Sequence, residues 1–322
     1  AGIMVSASHN PYQDNGIKVF GHTGYKLPDE VEHSIEETIF ELLAAGVTPS
    51  ERVLEAEQAL DEEYLAHLCA TLPGGARMPD RPLRIVLDCG HGAAAHLAPA
   101  LFRRLGAGFA FDGDADRCIA VAPSGRIIDG DMMLMVCGRR LRDAGRLAAT
   151  DGAPAVVATI MSNLGLERVC AREGIRLVRT PVGDKYVLEE MIRLGAIIGG
   201  EQSGHVIFRD FATTGDGMLS ALRLVDAVIS SERTLDELTA DFVSFPQTLK
   251  KVKVRSKPPL EEVPPVHAEI ARTERELGED GRIVVRYSGT EPVARVMIEG
   301  PSQEVIETHA ERIIQAIHQA LG

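Results

Sequence analysis

The stretch Asp112-Gly113-Asp114-Ala115-Asp116-Arg117 sets three carboxylates at alternate positions of one short loop. Hard oxygen ligands at that spacing converge on Mg²⁺ or Ca²⁺. An EF-hand does not fit, because its sixth position would be Arg117 instead of Gly and its twelfth Pro123 instead of Glu. An acidic hairpin turn accounts for the bare pattern equally well. Arg117 tips the reading towards a site, since a cation beside a metal suits a phosphoryl substrate. Ser6-Ala7-Ser8-His9-Asn10-Pro11 follows an apolar run, with Lys18 further along. A serine beside His and within reach of Lys can be a nucleophile; an Asn-Pro turn with solvated Ser and His is the plainer reading of that stretch alone.

Two further loops carry polar groups. Gly200-Glu201-Gln202-Ser203-Gly204-His205 presents a carboxylate, a hydroxyl and an imidazole, which suit the hydroxyls of a sugar. Taken alone, it also reads as a tight turn flanked by glycines. Arg286-Tyr287-Ser288-Gly289-Thr290-Glu291-Pro292, with Arg295 beyond it, offers guanidinium, hydroxyl and backbone N–H donors for a phosphate. A hairpin with a polar turn is the alternative there.

The elements that must position these loops follow from periodicity. Ile3 to Val5 reads as a buried strand leading into the serine turn. Val31, Ile35, Ile39 and Leu42 recur at helical spacing, so 29–45 is expected to be an amphipathic helix. A second helix is expected over 58–71, followed by a linker from Leu72 to Pro82. Arg84 to Asp88 reads as a strand, and Gly90 to Ala93 opens a helix. Phe109 to Phe111 and Cys118 to Ala122 bracket the acidic loop. Strands at Val156 to Ile160, Arg176 to Arg179 and Ala196 to Ile198 then alternate with helices at 164–173 and 184–194, and a further helix covers about 216–230. Such alternation predicts βαβ units on a mixed sheet. Pro246 to Pro265 reads as a boundary region. Strands at Ile283 to Tyr287 and Ala294 to Glu299, then a helix after Ser302 with Val305, Ile306, Ile313 and Ile317 on its apolar side, predict a small α+β C-terminal domain.

The whole composition narrows the function classes. The 322 residues allow two or three ordinary domains, and with aromatics at 4% the core must be aliphatic. A net charge of −13 argues against a nucleic-acid partner, yet leaves room for an anionic substrate held by local cations. Five scattered cysteines without paired spacing read as reduced and intracellular. No signal peptide or membrane-length apolar run is visible, so a cytoplasmic protein without a membrane partner is expected. Because the chain opens on Ala1 inside an apolar stretch, a preceding portion is expected to be missing from it.

Together and in this order, the four loops resemble those of the α-D-phosphohexomutases across essentially the whole chain. SASHNP looks like that family's phosphoserine loop, DGDADR its metal loop, GEQSGH its sugar-binding loop and RYSGTEP its phosphate-binding loop. The Ala7-Ser8 pair, the Glu201 to His205 loop and Thr180-Pro181-Val182-Gly183-Asp184-Lys185-Tyr186 are similar to the glucosamine-type variants.

The resemblance implies multidomain, phosphohexomutase-type mixed α/β domains. Residues 1–75 would be the remainder of domain I, 76–126 a shortened domain II, 127–245 domain III, and 246–322 the small α+β domain IV. The family's first domain begins before the phosphoserine loop, and much of its second domain falls between Leu105-Gly106-Ala107-Gly108 and Phe109-Ala110-Phe111-Asp112 of this chain. Both portions are therefore expected to be absent here.

It further implies a phosphorylated Ser8, with Mg²⁺ between that phosphate and Asp112, Asp114 and Asp116. Lys18 and Arg117 would stabilise the phosphoryl oxygens, and His9 would orient the loop. His205 or Lys18 would take the proton of the attacking hydroxyl. Thr180, Gly183, Glu201 and Ser203 would bind the sugar. Arg286, Ser288, Gly289, Thr290 and Arg295 would grip the phosphate that is not transferred. The implied activity interconverts glucosamine 6-phosphate and glucosamine 1-phosphate through a 1,6-bisphosphate, with glucosamine or glucose 1,6-bisphosphate as activator, feeding amino-sugar and cell-wall synthesis. The rivals are a mannose- or glucose-specific mutase, a non-catalytic sugar-phosphate binder, and a metal-dependent phosphatase. A homodimer is compatible with this reading.

Overall fold

The computed structural model describes residues 2–6, 16–48, 59–71, 86–89, 92–102, 108–288 and 291–322. The expected linker from Leu72 to Pro82 lies outside them, as do Ser8, His9, Gly289 and Thr290. In chain order the elements are β1 (Gly2–Ser6), β2 (Gly16–Phe20), α1 (Asp29–Ala44), α2 (Ala59–Ala70), β3 (Val86–Asp88), α3 (Ala94–Phe102), β4 (Gly108–Phe111), β5 (Cys118–Val121), β6 (Ile127–Ile128) and α4 (Gly130–Asp143). They continue with β7 (Ala155–Thr159), α5 (Leu164–Arg172), β8 (Arg176–Thr180), α6 (Asp184–Leu194), β9 (Ile198–Gly200), β10 (Val206–Phe208), α7 (Gly217–Ser231) and α8 (Leu235–Leu238). The last are β11 (Gln247–Lys253), α9 (Pro264–Leu277), β12 (Arg282–Tyr287), β13 (Val293–Glu299) and α10 (Gln303–Leu321). Among the described residues no helix is long and apolar enough to cross a membrane.

Two compact units divide the chain. The first comprises Ala1–Thr159 and Ile175–Ala240, the second Ile160–Gly174 and Asp241–Gly322. In the first unit, β10-β9-β7-β8 form one sheet, with β7 parallel to β8 and β9 and with β10 antiparallel to β9. Val157, Val187, Met191, Ala196 and Ile207 make an aliphatic cluster beneath α6. A second sheet, β3-β4-β5-β6, is built around the antiparallel hairpin β4–β5. The third is the two-stranded ribbon β1–β2.

Three expectations about the first unit change. The β1 strand forms, but it is not buried: Ile3 is 69% and Val5 65% exposed, because among the described residues β1 pairs only with β2. The helix α1 also forms at its expected place, yet Val31, Ile35, Ile39 and Leu42 are exposed and none of its residues is buried. The strand expected at Ala196 to Ile198 sits two residues later. Gly195 ends α6 in the left-handed conformation, and Gly199 and Gly200 themselves enter the ladder against Val157 and Ala158. Glycine normally weakens a strand. Here a Cβ on Gly199 would lie 2.7 Å from Met191 Sδ, and one on Gly200 2.5 Å from the His205 carbonyl oxygen, so close packing requires both.

The second unit is a three-stranded antiparallel sheet, β11-β13-β12, with α9 and α10 packed on it. Val252, Val266, Val296, Ile298, Ile306, Ile313 and Ile317 fill the space between. Each fully buried side chain of this kind stabilises the unit by about 1.5–3 kcal/mol. Val305, expected on the apolar side of α10, is instead partly exposed. The boundary expected over Pro246 to Pro265 holds β11 and the start of α9. Lysines at 250, 251 and 253 disguise β11, because it is an edge strand and such edges carry charge against mispairing. Lys250 shares its side of the strand with Thr248 and Val252 and is matched by Glu307 and Glu311 of α10, at 2.6 and 3.1 Å.

A buried carboxylate locks the second unit together. Glu299 is fully buried, pairs with Arg282 at 2.7 Å, and accepts hydrogen bonds from Gln247 Nε2 and the Leu164 amide. Arg282 in turn donates to the carbonyl oxygens of Ile160 and Ser162. This network ties the 160–174 segment to the β-sheet, since breaking one partner would strand a buried charge.

Candidate functional site

The acidic loop connects β4 to β5, where Phe111 and Cys118 close the ladder. Three backbone approaches hold it. The Ala93 amide donates to the Gly113 carbonyl at 2.9 Å, the Gly217 amide to the Ala115 carbonyl at 2.8 Å, and the Cys118 amide to the Gly204 carbonyl at 3.1 Å. Ala115 sits at φ +59°, a left-handed conformation that costs a non-glycine residue roughly 1–2 kcal/mol. The surrounding contacts hold it there.

Helix α7 begins against this loop. Asp216 caps it through the Leu219 amide and accepts a hydrogen bond from the Tyr64 hydroxyl at 2.7 Å. A Cβ on Gly217 would lie 2.4 Å from the Arg117 carbonyl oxygen, which is backbone and cannot swing away. Gly217→Ala is therefore expected to lower stability by about 1–3 kcal/mol and to depress activity by displacing the loop. Thermal unfolding and kcat measured together would check it; a variant with unchanged Tm and kcat would show that the loop is not seated on this helix.

Within the loop, one oxygen each of Asp112, Asp114 and Asp116 lie within 4.8 Å of one another. Burial pushes the Asp112 carboxyl up to about 6, and repulsion from Asp116 and Asp114 adds to it, against the opposing amide and guanidinium of Arg117. Lys18 Nζ lies 3.0 Å from Asp116 Oδ2 and 3.5 Å from Asp114 Oδ2. Burial pulls the Lys18 pKa down, but the hydrogen bond to Asp116 and the surrounding carboxylates outweigh it and leave it raised. Arg117 lies 3.8 Å from Asp112 and 3.9 Å from Asp116. Buried Asp112 Oδ2 and Asp116 Oδ1 have no hydrogen-bond partner among the described residues. Crowded carboxylates whose buried oxygens lack hydrogen bonds are a donor set that a hard divalent cation fits.

His205 is 2% exposed, with Nε2 3.7 Å from Asp116 Oδ2 and 3.8 Å from Asp184 Oδ2. Burial lowers its pKa and outweighs the carboxylates that raise it. Gly215 lies against the imidazole, where a Cβ would come within 2.4 Å of Nε2. Asp184 also pairs with Lys26. Sequence reasoning quoted Asp184 but gave it no role, and it missed Lys26, Tyr64 and Asp216. A carboxylate in the first turn of a helix reads as ordinary dipole compensation, so nothing local marked it.

The expected sugar loop lies in the same unit. Glu201 Oε1 accepts from the Gly183 amide at 3.2 Å, and Ser203 is exposed. Thr180 is buried, with its hydroxyl directed at the carbonyl oxygens of Pro181 and Ala158. The Gly130 amide donates to the Gln202 carbonyl, and a Cβ on Gly130 would lie 1.9 Å from the Glu201 carbonyl oxygen, so the start of α4 shapes this turn.

The expected phosphate loop joins β12 to β13 in the second unit. Arg286 and Arg295 face each other across the ladder. Like charges directly opposite are unfavourable. Burial and the field of Arg295 both hold the Arg286 pKa below the usual arginine value. Arg295 pairs with Glu291 at 2.7 Å and reaches Ser288 Oγ at 3.4 Å, while no ion-pair partner faces Arg286 among the described residues. The Ser288 carbonyl oxygen accepts from Lys257 Nζ at 2.6 Å. The Glu291 carboxylate is taken by Arg295, so the Arg286 guanidinium leaves a seat for an anion.

Family models match three stretches. Those described as Phosphoglucomutase/phosphomannomutase alpha/beta/alpha domain I, alpha/beta/alpha domain III and C-terminal domain match residues 1–45, 129–245 and 249–316. The chain belongs to this family, the phosphohexomutases, which are isomerases that move a phosphoryl group within a sugar phosphate. Among its relatives is a protein of Solibacter usitatus named phosphoglucosamine mutase, 49% identical over 359 residues and covering 100% of this chain and 79% of the relative. The phosphoglucosamine mutase of Koribacter versatilis is 42% identical over 369 residues, covering 100% of this chain and 78% of the relative. The Solibacter alignment spans 359 positions against 322 residues here, so that relative carries residues with no counterpart inside the matched stretch. The fold is similar to that of Aspergillus fumigatus N-acetylphosphoglucosamine mutase solved with GlcNAc-6P and magnesium, with TM-score 0.73 at 18% identity, covering 99% of this chain and 88% of the other.

Proposed function

We propose that the chain interconverts glucosamine 6-phosphate and glucosamine 1-phosphate by passing a phosphoryl group to and from Ser8. The observation that carries the reading is the Asp112, Asp114 and Asp116 cluster, whose facing oxygens lie within 4.8 Å of one another beside Lys18 and Arg117. Relatives of 39% to 49% identity bearing the name phosphoglucosamine mutase support the sugar assignment. Asp112, Asp114 and Asp116 would hold Mg²⁺, which supplies charge withdrawal from the phosphoryl group. Lys18 and Arg117 offset the negative charge that gathers on the phosphoryl oxygens. His205, buried behind Asp116, acts through that carboxylate and is a positioning residue. Glu201 and Ser203 receive the sugar hydroxyls. Arg286, Ser288 and Arg295, with Gly289 and Thr290, bind the phosphate that stays in place.

In this scheme the Ser8 phosphate moves to the free hydroxyl of the substrate, and the serine oxygen keeps the proton equivalent released there. The resulting 1,6-bisphosphate turns over, and its other phosphate returns to Ser8. Glucose or glucosamine 1,6-bisphosphate restores any enzyme that has lost its phosphate. A coupled assay for glucosamine 1-phosphate, run with a trace of bisphosphate and with mannose and glucose 6-phosphates in parallel, tests the reading. Preference for glucosamine 6-phosphate is expected. A higher kcat/KM for either neutral sugar would overturn the sugar assignment, and release of inorganic phosphate without isomer would overturn the mutase reading.

A further inference from the structure

Away from the acidic loop, the first unit contains a second concentration of charge. A cavity of about 250 Å³ is lined by Arg140, Arg146, Arg223, Asp226, Phe211 and Cys137, among others. Three guanidiniums around one small space repel one another unless something offsets them. Two of them have carboxylate partners: Arg140 Nε lies 3.3 Å from Asp226 Oδ2, and Arg146 pairs with Asp210. Arg223 is only 7% exposed and has no ion-pair partner among the described residues. It donates through Nη2 to the carbonyl and hydroxyl oxygens of Thr71, while its buried Nε has no hydrogen-bond partner among the described residues. Burial drags its pKa below the usual arginine value.

Capping the end of α2 through Thr71 gives Arg223 a structural task. That task uses one nitrogen. It does not explain why Arg140 and Arg146 open onto the same cavity. Nor does it explain the Phe211 ring, which lies 4.9 Å from the Arg223 guanidinium and 5.8 Å from that of Arg146 and so orients both. Cys137 suggests no metal or redox role, because burial pushes its thiol up to about 12 and leaves no thiolate. A carboxylate has two oxygens to share among guanidiniums, as Glu276 does between Arg272 and Arg312, whereas a phosphate monoester offers three, one for each arginine around this cavity.

We propose that this cavity is an anion site, sharing no residue with the acidic loop, which takes a small phosphate monoester. Arg140, Arg146 and Arg223 hold the phosphate, and its short carbon part lies against Phe208, Phe211 and Leu141.

Calorimetric titration of the full chain tests this, with inorganic phosphate and then glycerol phosphate as probes. The proteins compared are the unsubstituted chain, Arg286→Ala, Arg146→Ala and the double variant. In the Arg286→Ala background a saturable phosphate site should remain, and adding Arg146→Ala should weaken it roughly tenfold or more. Glycerol phosphate should bind more tightly than inorganic phosphate at that site and nowhere else. Ala144→Phe, which fills the cavity from the exposed end of α4, should abolish the same event without removing a charge. Circular dichroism and Tm of each variant establish that it is folded. Loss of all saturable binding in Arg286→Ala alone would overturn the proposal. So would an affinity unchanged by both Arg146→Ala and Ala144→Phe. The readout is binding, so it stands or falls separately from the mutase reading.

Discussion

Asp116→Asn is expected to lower kcat by ~10³-fold, an effect on the scale of a lost transition-state charge partner or metal ligand. The substitution keeps the shape of the side chain and removes only its charge. Asp116 is where the local electrostatics meet: its carboxylate faces Lys18 at 3.0 Å, His205 at 3.7 Å and Arg117 at 3.9 Å, and it belongs to the three-carboxylate cluster. Neutralising it would relieve repulsion within the cluster while weakening its hold on a divalent cation. Stability in the absence of metal should therefore change little, while the Mg²⁺ concentration needed for half-maximal rate should rise steeply. Lys18→Met provides the comparison. It removes the ion pair but no metal ligand, so its residual activity should keep the ordinary Mg²⁺ dependence. If Asp116→Asn and the unsubstituted chain responded identically to Mg²⁺, the carboxylate would be a structural partner of Lys18 and nothing more.

Ser8→Ala should reduce mutase turnover to background. In phosphoryl transfer the protein supplies an acceptor, positioning and charge, and no other group can replace a missing covalent acceptor. Two measurements separate this from a folding defect. Intact mass should show one phosphate on the unsubstituted protein and none on Ser8→Ala, and the thermal unfolding of the two should agree closely. Substrate binding should survive, because the phosphate loop from Arg286 to Arg295 lies elsewhere in the sequence. Near-normal turnover by Ser8→Ala, or a phosphate found on another residue, would refute the phosphoserine assignment.

Much of the site was legible because its chemistry is held in short contiguous loops. Asp112, Asp114 and Asp116 needed only a hairpin to bring them together, and the flanking apolar residues of β4 and β5 announced that hairpin. Helix α6 was readable from its periodicity and ends at Gly195, where the left-handed cap demands glycine. Other elements were hidden by residues that local preference disfavours. Gly199 and Gly200 fell beyond the end of the expected strand, but close packing against Met191 and His205 makes them its last two residues. Lysines and prolines made β11 look like part of a boundary region, although lysine charge is what an exposed edge favours.

Residue types and short-range order thus determined the acidic turn, the candidate for metal binding, and most of the helices, and the four loops in order carried the resemblance that named the class of reaction. Each of these depends on groups within a few positions of one another, or on a period of a few residues. Only the folded chain decided what surrounds the carboxylates. Lys18 meets Asp116 across 98 positions, Lys26 meets Asp184 across 158, and Tyr64 reaches Asp216 across 152. Such pairs form because backbone ladders and close glycine contacts bring distant segments together. No pattern within either segment records its partner, so their roles emerge only from the packing.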